Sequence, residues 1–244
     1  MRVSLTRRAA AETIGTGLLV LAVVGSGISA ARLSPHDVGL QLFENAAATG
    51  VGLVAIILAL GPVSGAHLNP IVTAVDVALG GMTAAEAWVY AAAQVVGGAV
   101  GAVLANLMFS LPAIELSTKH RAGGGVLLGE AVATFGLILV VFGLVRSGRA
   151  SAAAFAVGGD IGGAYFFTSS TAFANPAVAV ARSLSDTFAG IAPSSVPGFL
   201  LMELVGGGIG LVAIRMLYPR SASEEVAAQR EEVASRGSRE GWDR

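Results

Sequence analysis

The sequence has no cysteine, and only 13% of its 244 residues are charged. The first absence excludes disulfides, thiolate metal sites and a thiol nucleophile. The second removes the charged surface that a soluble domain of this length carries. His36, His67 and His120 are too scattered for metal ligation, and no G-x-S-x-G or phosphate-cradling loop is present. No metal, no cofactor and no soluble catalysis is expected. A formal net charge of −1 gives no sign of a nucleic-acid partner.

What is there is apolar: 54% hydrophobic residues and a mean hydropathy of +0.74. No charge interrupts residues 87–114, a run longer than the ~20 apolar residues a helix needs to cross a bilayer. Residues 9–31, 40–61, 126–145, 150–169 and 197–218 complete a set of six candidate spans, so the chain reads as an integral protein of the lipid bilayer. Arg7 and Arg8 before the first span imitate a signal peptide, but the run is long and carries Glu12, so it is expected to stay attached. With the N-terminus inside, Arg2, Arg7, Arg8, Arg146, Arg149, Arg215, Arg220 and Arg230 fall on the cytoplasmic side, against Arg32, Lys119, Arg121 and Arg182 outside. That bias predicts a multi-pass plasma-membrane protein with both termini in the cytoplasm. The stretch 219–244 is polar, with Glu232 and Arg236 at helical pairing distance, and reads as a solvated or disordered tail after a membrane domain over 1–218.

The chain repeats itself. AETIGTGLLVL at 11–21 matches GEAVATFGLIL at 129–139, aligning Glu12 with Glu130; YAAAQVVGGAVG at 90–101 matches FLLMELVGGGIG at 199–210, aligning Gln94 with Glu203. Between these lie AHLNPIVTAV at 66–75 and AFANPAVAVA at 172–181, whose Asn-Pro pairs stand 106 positions apart. Two copies, 9–114 and 125–218, hold three spans each. Three is odd, so the second copy enters the membrane from the opposite side, giving inverted repeats with a site between them.

Each Asn-Pro pair precedes an apolar run too short to cross. Asparagine is a favoured N-cap and proline a favoured first helical residue, so Asn69-Pro70 and Asn175-Pro176 each read as the start of a half-helix. Two such helices meeting N-terminus to N-terminus would focus two positive dipole ends on one spot, and exposed backbone at that depth is tolerated only against protein or a water-filled cavity. The prediction is a pore whose waist presents the asparagine amides and repels cations.

These features together, SGAHLNP, the second Asn-Pro-Ala, the paired AE/GE-x-x-x-T starts and the inverted duplication, resemble the aquaporin, or major intrinsic protein, family over residues 9–218. The resemblance implies an all-α membrane protein: a right-handed bundle of six transmembrane helices with two re-entrant half-helices, a pore in each subunit, and a homotetramer. It also implies pore motifs at Asn69, Pro70, Ile71 and at Asn175, Pro176, Ala177, with Glu12 and Glu130 holding the re-entrant loops. An intramembrane acid is otherwise a functional candidate in its own right. By the same resemblance His67 lines the pore; packing beside the first half-helix is its other reading. Asp160 is read either as a pore-lining carboxylate or as paired behind the pore.

The departures bear on substrate. The first motif has Ile71 in place of alanine, and Val178 stands where the family usually has an arginine. Carried over by spacing, the remaining filter positions are Thr49, Gly163 and Ala172. With Val178 they predict a wide, mildly apolar constriction with one hydroxyl, similar to aquaglyceroporins and to a bacterial subgroup that accompanies arsenic resistance. The expected cargo is small neutral polyhydroxy solutes, glycerol-like polyols or neutral trihydroxides such as arsenite, with water. The alternatives are a water-selective pore, a secondary transporter coupled through Asp160, Glu12 and Glu130, and, more remotely, an intramembrane hydrolase. Because no thiol is present, mercurials should leave solute flux in proteoliposomes intact; strong inhibition that a thiol reverses would contradict this.

Overall fold

The computed structural model describes residues 3–219, so the expected tail beyond Pro219, with its Glu232–Arg236 pair, lies outside the described residues. Eight α-helices follow in order: α1 (Leu5–Leu33), α2 (Val38–Ser64), α3 (Pro70–Leu79), α4 (Ala84–Met108), α5 (Gly124–Arg146), α6 (Ala153–Phe167), α7 (Pro176–Arg182) and α8 (Val196–Leu217). No strand occurs among the described residues.

Local chemistry marks the helix starts. Asp37 accepts from the Leu40 N–H at 2.9 Å, and Thr83 and Glu86 form a reciprocal capping box at the head of α4. Helix α2 runs through Pro62 and ends at Gly65, whose φ of +86° is the left-handed stop that glycine supplies without penalty. Five helices are long and apolar enough to cross a membrane. The sixth, α6, has 15 residues and follows a 3-10 turn at Ala150–Ala152; it stops short of residue 169 because Thr168 has already turned extended to lead into the second Asn-Pro segment.

The two halves pack alike. Helix α1 lies against α2 and α4, α5 against α6 and α8, and α2 meets α6 across the halves, while α3 and α7 rest between α4 and α8. Backbones touch at glycine. A Cβ on Gly97 would stand 2.1 Å from the Thr13 carbonyl oxygen, on Gly101 2.2 Å from that of Gly17, and on Gly206 2.3 Å from that of Ala131. Such contacts suit a bilayer, where helices associate through close packing because lipid is as apolar as leucine. The outer faces remain apolar, with Val96, Leu104, Leu204 and Ile209 exposed. Arg8 pairs with Glu86 at the face carrying the start of α1, and Arg32 donates to the Phe109 carbonyl at the opposite face, 2.7 Å away.

Gly101→Ala should therefore force α1 and α4 apart at a cost of ~1–3 kcal/mol and lower the unfolding temperature in detergent. Gly208→Ala, whose Cβ meets nothing within 4 Å, should leave it where it is; equal melting of the two variants would refute the packing account.

Candidate functional site

The re-entrant segments, 65–69 and 171–175, are built alike. Ala66 and Leu68 hold φ of 48° and 53°, and their counterparts Ala172 and Ala174 hold 48° and 49°. A non-glycine residue in this region costs ~1–2 kcal/mol. Buried carboxylates offset it. Glu12 accepts from the His67 N–H at 3.0 Å, the Leu68 N–H at 2.7 Å and the Ser64 hydroxyl at 2.6 Å; Glu130 accepts from the Phe173 and Ala174 N–H groups, both at 2.9 Å. Hydrogen bonds to a charged acceptor contribute about 1.5–3 kcal/mol each, more than the turns they enforce.

The loops end at the two asparagines. Asn69 Oδ1 accepts from the Ile71 N–H at 2.8 Å, and Asn175 Oδ1 accepts from the Ala177 N–H at 3.0 Å, capping α3 and α7 behind Pro70 and Pro176. Each side chain also crosses to the other half: Asn69 Nδ2 donates to the Ala174 carbonyl and Asn175 Nδ2 to that of Leu68, both at 2.7 Å. One amide N–H of each remains, and both residues line the same cavity.

That cavity, about 630 Å³, runs from His67 and Asp76 past both asparagines to Thr49, Val178 and Arg182. Its lining is mixed in character. Leu19, Val23, Leu53, Val157, Ile161 and Phe173 form apolar wall, while Asn69, Asn175, Thr49 and Tyr165 offer polar groups. The hydroxyls of Thr49 and Tyr165 lie 3.3 Å apart. His67 bonds Thr73 Oγ1 through Nδ1 at 3.1 Å, and its Nε2 lies 3.9 Å from Asp76 Oδ2.

Thr49, Ala172, Val178 and His67 all face the cavity, but Gly163 does not. It is exposed on the outer side of α6, and Tyr165 takes its place. Two helical residues are about 200° apart, so a carry-over two positions out of phase lands on the opposite face. The cavity wall around Thr49, Ala172 and Val178 therefore has two hydroxyls and an aromatic ring rather than one hydroxyl among small groups. Ile71, which follows the first Asn-Pro pair, does not line the cavity and packs against α8, where a Cβ on Gly207 would overlap its Cγ2. Asp160 lines no part of the cavity; it is half-buried beside Gly136, and its Oδ2 has no hydrogen-bond partner among the described residues.

The family model for the major intrinsic proteins matches residues 1–166. The chain belongs to the major intrinsic protein family. Among relatives, it is 48% identical over 213 residues to the aquaglyceroporin AqpS of Rhizobium meliloti, covering 87% of this chain and 91% of that one. It is 30% identical to aquaporin Z of Bradyrhizobium diazoefficiens, over 86% of this chain and 93% of that protein. In fold it is similar to the X-ray structure of the aquaglyceroporin from Plasmodium falciparum, with a TM-score of 0.69 at 21% identity, covering 86% of this chain and 96% of that one. Major intrinsic proteins are membrane channels, not enzymes, and this chain is a passive channel for water and small solutes.

Two residues of the site escaped the sequence. Arg182, read as an outside loop cation, is buried on the cavity wall. Glu203 is the other: its partner in the duplication, Gln94, donates to Glu12 Oε2 at 2.8 Å, whereas Glu203 Oε1 accepts from the Asn175 N–H at 3.0 Å, beside Glu130. The Gln94–Glu203 alignment was the available signal. Glu203 Oε2 is buried without a partner among the described residues. Glu203→Gln restores the amide donor that the first half has, and should stabilise the channel by about 1 kcal/mol, read as a raised unfolding temperature. A fall would show that Glu203 must remain an acid.

Proposed function

We propose that this channel conducts small neutral polyhydroxy solutes, glycerol-like polyols and neutral metalloid hydroxides such as arsenite, together with water. The observation that carries the reading is Val178. An arginine there would project a charge and five donors into the constriction, narrowing it for anything larger than water; valine leaves an uncharged wall. The same cavity is lined by the Thr49 and Tyr165 hydroxyls and by the apolar Phe173 and Ile161. A polyol needs both kinds of group along its path, because its hydroxyls lose water only where donors and acceptors replace it, while its carbon edge gains from apolar contact. The name of the relative AqpS, an aquaglyceroporin, supports the same class.

A carrier coupled through Glu12, Glu130 and Asp160 is disfavoured by what those three acids do. Glu12 and Glu130 are committed to loop N–H groups, and Asp160 lies off the path. The channel unit is proposed to span 1–218, with both termini in the cytoplasm and four copies in the plasma membrane, each with its own pore.

Stopped-flow light scattering on proteoliposomes tests the solute class. The natural sequence should pass glycerol and arsenite without saturation, and Val178→Arg should cut both at least about tenfold, ~1.4 kcal/mol of barrier, while water still flows. Water flux alone in the natural sequence would make the pore water-selective; saturation with ion dependence would make it a carrier.

A further inference from the structure

We infer that Arg182, one helical turn beyond Val178 on the cavity face of α7, is the residue that keeps cations out of this channel. The inference rests on reading the cavity as an open path for neutral solutes.

Positions four apart share one side of a helix, and both Val178 and Arg182 line the cavity. Arg182 is 2% exposed, yet the ion pairs among the described residues are Arg8–Glu86 and His67–Asp76, and neither includes it. Its Nε donates to the Ala189 carbonyl, and its guanidinium carbon lies 3.4 Å from the centroid of Phe173, another cavity residue. The terminal nitrogens have no hydrogen-bond partner among the described residues. Glu130 attracts the guanidinium only from beyond ion-pair distance, and a buried cation without a paired anion is costly unless water in the cavity it lines solvates it.

The surroundings add positive charge. The Arg121 guanidinium carbon also lies near the Phe173 ring, 5.0 Å from its centroid, and its Nε donates to the Gly190 carbonyl at 2.9 Å. Lys119 donates to the Phe188 carbonyl at 2.7 Å. Burial, with Arg121 and Arg182 adding repulsion, pushes the Lys119 ammonium down to about 8, so it is still largely charged at neutral pH. An approaching cation meets this field while it is losing water, and a neutral solute meets it only as hydrogen-bond donors. The charge missing at Val178 is thus restored one turn outward, where the mouth does not have to be as narrow.

The test is cation leak in proteoliposomes carrying a potassium gradient, with an internal pH dye for protons, alongside water and glycerol shrinkage in the same vesicles. Arg182→Met should still conduct water and should raise potassium or proton leak at least about tenfold, ~1.4 kcal/mol of barrier. Arg182→Lys should stay as tight as the natural sequence, and V178R/R182M should regain tightness by moving the charge back. A leak in Arg182→Met equal to that of the natural sequence, with water flux present, overturns the inference. Loss of water flux in the Met and Lys variants alike also overturns it, since Arg182 would then serve the fold. If the natural sequence passes no glycerol, the neutral-solute reading fails by itself, and the leak comparison stands on the water signal.

Discussion

The two crossed hydrogen bonds, Asn69 to the Ala174 carbonyl and Asn175 to the Leu68 carbonyl, are the constraint on which the channel depends. They join halves that share no covalent contact at this depth and fix the heads of α3 and α7 against each other. Everything upstream prepares them. The left-handed turns aim the carbonyls, Glu12 and Glu130 hold the turns, and the glycine contacts bring α1 to α4 and α5 to α8 so that the carboxylates reach. Each asparagine thereby satisfies its acceptor on its own helix and one donor on the other half, and the last N–H is left for whatever passes. A buried amide with an unused donor is otherwise a penalty, so a filled pore is part of the fold's own stability.

The pseudo-symmetry is strict where backbone is held and loose along the cavity wall. Glu12 and Glu130 do the same work, as do Asn69 and Asn175. Gln94 and Glu203 do not, nor do Ile71 and Ala177, and nothing in the first half corresponds to Arg182 in position and charge. The cavity lining is correspondingly uneven: His67 and Asp76 belong to it, and so do two hydroxyls, an aromatic ring and a cation with no like counterpart in the other half.

The bundle was legible in the sequence because its signals are local or duplicated: uncharged runs of spanning length, Asn before Pro as a helix start, and glutamates repeated in register. Gly163 went astray because its position was counted backwards from Asn175 across Thr168–Ala174, where extended and left-handed residues break the helical phase. Spacing survives such a loop; facing does not. Arg182 was hidden for another reason. In one dimension it looks like a loop cation beside Ser183, and only the fold of 183–195 back over α7, with the Ala189 carbonyl on its Nε, shows it to be enclosed.

The fit of Ile71 against Gly207 has an evolutionary reading. A branched side chain is admitted after the first Asn-Pro because α8 presents no side chain opposite it, so neither position can drift alone. Enlarging residue 207 while isoleucine remains would overlap atoms, and trimming Ile71 while glycine remains would open a void beside the waist. Among descendants of this chain a bulkier residue at 207 should therefore appear only beside a smaller one at 71.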